Sequence, residues 1–179
     1  MKWILLFLFF PIVASAQDPI AIGCDILITN GKIIDGTGNG WYYGNIAVKD
    51  GKIIKTGRDI NLSAKKTIDA KGLIVAPGFI DVHTHLEDDE AKDPNATSFI
   101  LDGVTTCVTG NCGSSNVNIK KYLTWIDSLK LSINVATLIG HNDVRKSVMG
   151  RANREATAAE MKRMEDIVDK AMKDGAVGM

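Results

Sequence analysis

The chain has 179 residues, of which 45% are hydrophobic and 23% are charged, a composition typical of a folded globular protein. Its 21 lysine and arginine residues balance its 21 aspartate and glutamate residues. This balance gives no electrostatic basis for binding nucleic acid or an anionic membrane surface, so neither is expected as a partner.

The first residues have the three parts of a secretory signal peptide. Lys2 supplies the positive charge, residues 3–13 form the apolar run, and the small residues 14–16 form the cleavage site. The apolar run is too short to span a membrane as a helix. We therefore expect residues 1–16 to be removed, leaving Gln17 first, and the protein to be exported to the periplasm or the medium without a membrane anchor.

Residues 17–75 contain three short units that each combine β-forming residues with a turn signal. Residues 28–34 have Asn-Gly at their centre, residues 48–54 have Asp-Gly, and residues 67–75 have Lys-Gly. Asn-Gly and Asp-Gly between apolar runs are typical of hairpins, because a type I′ turn needs positive φ at both central residues. We predict a small antiparallel β domain that forms part of a composite β-sandwich and is too small for a large core of its own.

A different pattern begins with the segment 76–85, which reads Ala-Pro-Gly-Phe-Ile-Asp-Val-His-Thr-His. After the Pro-Gly break, residues 79–82 are predicted to form a short buried strand. Side chains alternate along a strand, so Asp81, His83 and His85 are expected on one face. Two imidazoles on one face suit a divalent metal ion. Asp81 would then be placed to hydrogen-bond a ligand imidazole.

Predicted strands and helices alternate from this point onwards. Asp93 and Pro94 predict the start of a helix that runs to residue 103, and residues 104–109 are β-branched and apolar, as in a buried parallel strand. Further along the chain we predict a helix at 119–129, a strand at 133–139, a helix opened by the capping box at 157–160, and a strand from 176.

This alternation defines the predicted fold class, which is α/β with a parallel sheet and right-handed crossovers. Metal-binding side chains at the carboxyl ends of strands suit a (β/α)₈ barrel, which takes about 250 residues. We therefore expect residues 76–179 to be the first half of such a TIM barrel, truncated, and the chain to be part of a longer protein.

A second candidate ligand follows the second strand, in the sequence Gly-Asn-Cys-Gly at 110–113. The glycines allow a turn and a close backbone approach, which would place Cys112 at the same rim as His85. A thiolate beside two imidazoles is a reasonable zinc ligand, and a loop cysteine without a partner is the alternative. Cys107 is expected to face the helices and to pack there. His141 follows the third strand, and the sequence leaves open whether it contacts substrate or orients a loop.

Together these motifs carry a family resemblance. The segment 77–85 resembles the first barrel strand of the amidohydrolase superfamily, which includes dihydroorotases, hydantoinases and D-aminoacylases. The Gly-Asn-Cys-Gly motif at 110–113 is more specific, and the whole set resembles the N-acyl-D-amino-acid deacylase (D-aminoacylase) branch. The other motifs that carry this resemblance are residues 103–106, 138–142, 148–150 and 175–178.

The resemblance implies a zinc hydrolase with one or two ions, in which a cysteine stands where relatives use a carboxylated lysine to bridge two metal positions. It implies that His83 and His85 are the ligands of the first strand and that Cys112 is the bridging ligand. In the family, two further histidine ligands and the catalytic aspartate come from later strands. No catalytic residue is therefore expected within these 179 residues, and we expect the chain alone to be inactive.

The activity implied for the complete protein is hydrolysis of the linear amide of N-acyl-D-amino acids, small-molecule substrates, to a carboxylate and a D-amino acid. One alternative is a cyclic amidase of the hydantoinase or dihydroorotase type, against which the presence of Cys112 and the lack of a lysine in the fourth strand both argue. Another is a non-catalytic, metal-binding truncation product. The sequence indicates neither the acyl group, nor the amino acid, nor the oligomeric state.

Overall fold

The computed structural model describes residues 23–86 and 93–179, so the predicted signal peptide lies outside the described residues. The chain divides into two compact units, Met1–Pro77 and Gly78–Met179. In the described part of the chain, the first unit contains five strands, and the second contains three strands and four helices.

The first unit is built on one sheet whose central strand is the longest. Its strands are β1 (Cys24–Ile33), β2 (Tyr42–Lys49), β3 (Lys52–Gly57), β4 (Ala64–Asp69) and β5 (Ile74–Val75). The order is β3-β2-β1-β4, with β5 also on β1. β1 pairs antiparallel with β2 but parallel with both β4 and β5. The prediction of an antiparallel domain was therefore wrong. The connection at 58–63 is not a hairpin turn, and it returns the chain to the far edge of β1 for a parallel pairing.

The two strongest turn signals of this unit have different outcomes. Asp50 and Gly51 both have positive φ and join β2 to β3 as the predicted hairpin. Asn30 also has positive φ, but it lies inside β1, where the register against β2 shifts. Its backbone N–H donates to Asn45 Oδ1 at 3.0 Å and its side chain donates to Asp69 Oδ1 at 2.9 Å. These long-range bonds hold it in a β-bulge rather than a turn.

From β6 to β8 the second unit has the predicted alternation of strands and helices on a parallel sheet, but two helices then follow in succession and the predicted strand from 176 is not formed. Its elements are β6 (Phe79–Asp81), α1 (Thr97–Leu101), β7 (Val104–Thr109), α2 (Ile119–Leu129), β8 (Asn134–Thr137), α3 (His141–Met149) and α4 (Ala158–Lys173). The sheet order is β6-β7-β8, and both pairings are parallel. Val177 N–H donates to Thr137 O and Ile139 N–H donates to Gly178 O, each at 2.9 Å. The chain after α4 thus runs beside β8, although no strand is assigned there.

Two helices differ from prediction. α1 begins at Thr97 rather than at Asp93, because Asp93 and Pro94 belong to a turn that closes at Ala96, whose φ is +50°. Ala96 is the N-cap residue of α1, but Asp93 Oδ2 still accepts the Thr97 N–H at 2.9 Å, and this bond holds the pKa of Asp93 below its usual value. α3 was not predicted, because Gly140 provides no side-chain cap and only Val144 and Met149 are buried.

The helices of this unit pack over the sheet through apolar side chains. The packing cluster consists of five residues that are at most 6% exposed, namely Ile119, Ile139, Val144, Ala171 and Ala176. Cys107 is fully buried in a second cluster with Ala96 and Ile133, as predicted. The predicted capping box of α4 is also present. Within the residues that the structure describes, no helix is both long and apolar enough to cross a membrane.

Candidate metal centre

Three predicted ligands meet where the chain leaves β6 and β7. The Sγ atom of Cys112 lies 3.4 Å from His83 Nε2 and 3.7 Å from His85 Nε2. One potential ligand atom from each of the three residues lies within 4.8 Å of the other two. Over residues 23–86 and 93–179, this is the one group of three or more histidine, cysteine or acidic side chains arranged to hold a metal ion.

The spacing of these donor atoms fits zinc. In a tetrahedral site, a Zn–S bond of about 2.3 Å and a Zn–N bond of about 2.0–2.1 Å place sulfur and nitrogen about 3.6 Å apart. The two sulfur–nitrogen distances in this group, 3.4 and 3.7 Å, lie on either side of that value. Imidazole and thiolate are also the donor types that zinc prefers. The residues present therefore fit a zinc ion both in donor type and in the two sulfur–nitrogen distances.

The segment that carries the two histidines is no longer a regular strand. β6 ends at Asp81, and residues 82–86 follow as bends and irregular chain. β6 is also not the predicted buried strand, because Phe79 and Ile80 are 63% and 62% exposed in the described chain. Asp81 was expected to bond a ligand imidazole, but its Oδ1 atom instead accepts the backbone N–H of His83 at 3.0 Å. This bond is local, because Asp81 lies two residues before His83. Asp81 thus shapes the backbone that carries the ligands.

Cys112 occupies a backbone conformation that is uncommon for a residue with a side chain. Its φ is +57°, in the left-handed region, which costs about 1–2 kcal/mol for an L-residue. Gly110 before it has φ of +80°, and a Cβ atom there would lie only 2.3 Å from the carbonyl oxygen of Leu138. Position 110 therefore requires glycine for two reasons, its positive φ and the close approach of the Leu138 backbone, which follows β8.

The loop around Cys112 is bonded to the start of α3. Asn142 Nδ2 donates to the carbonyl oxygen of Cys112 at 3.4 Å. Ser115 N–H donates to Asp143 Oδ2 at 2.9 Å, and Ser115 Oγ accepts the N–H of Gly140 at 2.6 Å. These bonds could not be predicted from the sequence, because α3 itself was not predicted and each bond joins positions more than twenty residues apart.

His141 lies apart from the three ligands. It is the exposed first residue of α3 and lines a groove of about 560 Å³ between α3 and α4, with Val144, Met161 and Met164 among its neighbours. The structure therefore does not bring all three histidines of the chain into one group. A role for His141 in contacting substrate or orienting a loop stays a prediction.

A cavity of about 280 Å³ opens beside His85, and polar side chains make up much of its lining. Six of these are Thr109, Ser114, Ser115, Tyr122, Thr137 and Asp143. Thr109 and Thr137 are almost completely buried, and the Thr109 and Tyr122 hydroxyls lie 3.3 Å apart. The ligand group therefore borders a space that polar molecules can enter. This cavity could not be predicted from local sequence, because strands, loops, α2 and α3 all contribute to it.

Comparisons with known proteins identify relatives of this chain. D-aminoacylase of Alcaligenes xylosoxydans xylosoxydans is 32% identical over 178 residues, which cover 87% of this chain and 37% of that protein. N-acyl-D-aspartate deacylase of the same organism is 32% identical over 188 residues, covering 92% of this chain and 38% of that protein. The chain thus spans less than two fifths of the length of these relatives.

A solved structure and a family model give the same result. The crystal structure of N-acyl-D-glutamate deacylase from Bordetella bronchiseptica, complexed with zinc and a phosphonate inhibitor, matches with a TM-score of 0.82 and 35% identity. The match covers 88% of this chain and 38% of that one. The model of the amidohydrolase family matches residues 66–179, more than half of the chain. The chain therefore belongs to the amidohydrolase family.

Proposed function

We propose that the complete protein is a zinc-dependent deacylase that hydrolyses the linear amide of N-acyl-D-amino acids to a carboxylate and a D-amino acid. The site would lie at the carboxyl ends of the strands of a (β/α)₈ barrel to which residues 78–179 contribute. The observation that carries the proposal is the convergence of His83, His85 and Cys112, with sulfur–nitrogen distances of 3.4 and 3.7 Å.

The donor set distinguishes this proposal from other amide hydrolases of the family. A thiolate from the Gly-Asn-Cys-Gly loop stands beside the histidine pair, as the resemblance to D-aminoacylases implies. The relatives at 32% identity, which are named D-aminoacylase and N-acyl-D-aspartate deacylase, support the same substrate class. A cyclic amidase is the competing activity, so cyclic amides are included among the substrates tested.

In this proposal, zinc supplies Lewis acidity toward the scissile carbonyl and makes a water molecule nucleophilic near neutral pH. The role of the protein side chains would be to hold the metal ion and to orient the groups around it. His83 and His85 contribute neutral imidazole nitrogens, and Cys112 contributes a negative charge that offsets part of the charge of one or two ions. The polar cavity beside His85 provides a volume next to the ligands that polar groups can occupy.

The test is an assay of the complete protein, purified with zinc, on matched substrates. N-acetyl-D-methionine, N-acetyl-D-glutamate and N-acetyl-D-aspartate are compared with their L-enantiomers and with hydantoin and dihydroorotate. We expect hydrolysis of at least one D-substrate, loss of turnover on chelation, and recovery when zinc is restored. Turnover of cyclic amides alone, or full turnover after complete removal of metal, would contradict the proposal.

We also propose that the protein is exported after loss of residues 1–16, on the basis of the charge, apolar run and small residues of that segment. Amino-terminal sequencing of material from the periplasm or medium should then begin at Gln17. Mature protein that keeps Met1 and stays inside the cell would contradict export.

A further inference from the structure

The side chain of Asn111 bridges the two segments that carry the candidate ligands. Asn111 is 8% exposed, and its Nδ2 atom donates to Val108 O at 2.8 Å and to Thr84 O at 3.3 Å. Thr84 lies between His83 and His85, while Asn111 directly precedes Cys112. Both partners are carbonyl oxygens, which only accept, so the amide NH₂ must be the group that faces them. One buried side chain therefore links the histidine segment to the cysteine loop.

The carbonyl of Val108 is the centre of this link. It accepts the Thr84 N–H at 3.2 Å and the Thr84 hydroxyl at 2.9 Å in addition to the Asn111 amide. The regular pairing of β6 with β7 ends at Asp81 and Cys107, before the ligands begin. Thr84 and Asn111 thus continue the contact between the two chain segments beyond the last ladder pair. Thr84 is 7% exposed, so water competes little for these bonds.

We propose that Asn111 is a positioning residue, which fixes the His83 and His85 ligands relative to Cys112 before metal binds. This inference rests on the metal-dependent function proposed above. Ligand atoms must lie within about 0.5 Å of productive geometry for a site to be preorganised. Neither segment is held by a regular strand at this point, and Cys112 is in the left-handed region. The bridge from Asn111 adds a direct constraint between the two segments, although Asn111 is not itself one of the candidate ligands.

The experiment measures metal binding rather than turnover. Cobalt(II) replaces zinc in the complete protein, and the thiolate-to-cobalt charge-transfer band reports the geometry at Cys112. In Asn111→Ala the dissociation constant for cobalt should rise about 10- to 100-fold, as for other groups that orient metal ligands, and the band should weaken or shift. Thermal melts of the metal-free proteins, with titrations well below the melting temperature, separate this effect from loss of stability.

Asn134 provides a control of the same residue type, at an exposed position. It is the first residue of β8, at the opposite end of the same sheet, and its Nδ2 atom donates to Thr105 O on the neighbouring strand at 3.1 Å. Asn134→Ala removes the same kind of bond away from the ligands. Its cobalt affinity and charge-transfer band should match those of the unsubstituted protein.

Three outcomes would overturn the proposal. The first is an Asn111→Ala protein with unchanged cobalt affinity and an unchanged band, and the second is an equal loss in Asn134→Ala. If Asn111→Ala does not fold, Asn111→Leu keeps the side-chain volume and removes both donors. The third outcome is failure of Asn111→Leu to fold as well, which would show that Asn111 is required for folding and not for positioning the ligands. If the unsubstituted protein binds cobalt through Cys112 but hydrolyses no N-acyl-D-amino acid, only the proposed function fails.

Discussion

The α/β unit contains two regions that are stabilised in different ways. The ligand rim, residues 83–85 and 110–115, has three exposed candidate ligands, a left-handed cysteine and several hydrogen bonds between segments. The packing cluster, defined above, consists of apolar side chains from α2, α3, α4 and the chain beside β8. The ligand rim is held in place by hydrogen bonds between specific groups and by glycines, whereas the packing cluster is stabilised by the burial of apolar surface. Changes in the rim should therefore affect metal binding first, and changes in buried apolar positions should affect stability first.

Cys112→Ala should give the largest effect and tests the comparison most directly. If its thiolate binds zinc, this substitution in the complete protein should remove metal and deacylase turnover together, since a ligand is lost. The melting temperature of the metal-free protein should change little, because the side chain is exposed. Elemental analysis, turnover and thermal melts on the same preparation measure all three.

Cys107→Ala is the matched control, because the same substitution is made five positions earlier at a fully buried site. Loss of the sulfur atom leaves a small cavity and should cost about 1 kcal/mol of unfolding free energy, while zinc content and turnover stay unchanged. Full zinc and normal turnover in Cys112→Ala would remove Cys112 from the ligand set.

Gly110→Ala should combine both effects. A methyl group at this position would overlap the carbonyl oxygen of Leu138. The backbone φ of +80° is also unfavourable for any residue with a Cβ atom. The left-handed backbone costs about 1–2 kcal/mol and the overlap about 1–3 kcal/mol more. Relief of the overlap would displace the loop that carries Cys112, so we expect lower zinc affinity as well as a lower free energy of unfolding in denaturant titrations.

Gly72→Ala separates the two causes. Gly72 has the same φ of +80°, but a Cβ atom there would meet no atom within 4 Å. Only the backbone cost of about 1–2 kcal/mol should appear, with zinc affinity unchanged. Equal losses of stability at the two positions would show that the approach of the Leu138 backbone to Gly110 is not tight.

Thr157→Ala should have a smaller effect, confined to stability. Thr157 Oγ1 accepts the Glu160 N–H, and the Glu160 carboxylate accepts the Thr157 N–H at 2.9 Å. Loss of the cap should cost about 1 kcal/mol, measured by denaturant unfolding of the metal-free protein. A change in zinc affinity in this variant would mean that the rim and the helix layer are coupled.

Glu160→Gln should have the smallest effect, seen only in the pH dependence of stability. Hydrogen bonds from Arg154 and then from Thr157 hold the pKa of Glu160 well below its ordinary value of 4.5. The ionised carboxylate therefore stabilises the folded chain above pH 4.5, and this contribution is lost as pH falls toward the lowered pKa. The melting temperatures of the unsubstituted protein and of Glu160→Gln should converge as the pH falls below 4.5. A constant difference across that range would contradict this linkage.

Much of the ligand set could be predicted from local sequence. His83 and His85 are two positions apart after an apolar strand, and Cys112 follows the next strand between glycines, so the parallel pairing of β6 and β7 brings them together. The role of Asp81 could not be predicted, because its bond to the His83 N–H depends on the strand ending at that residue. Asn30 shows the same limit. Its Asn-Gly sequence predicts a hairpin turn, but hydrogen bonds to Asn45 and Asp69, which are distant in sequence, hold it in a bulge.

The sequence by itself determined the alternation of strands and helices, the capping box at Thr157, the hairpin at Asp50 and the identity of the candidate ligands. These follow from periodicity, caps and turn residues, whose physical causes act within a few positions of one another. Only the tertiary structure decided the mixed sheet of the first unit, the α3 helix and the bridge from Asn111 to Thr84. Each of these depends on hydrogen bonds or packing between segments distant in sequence, which local patterns do not encode.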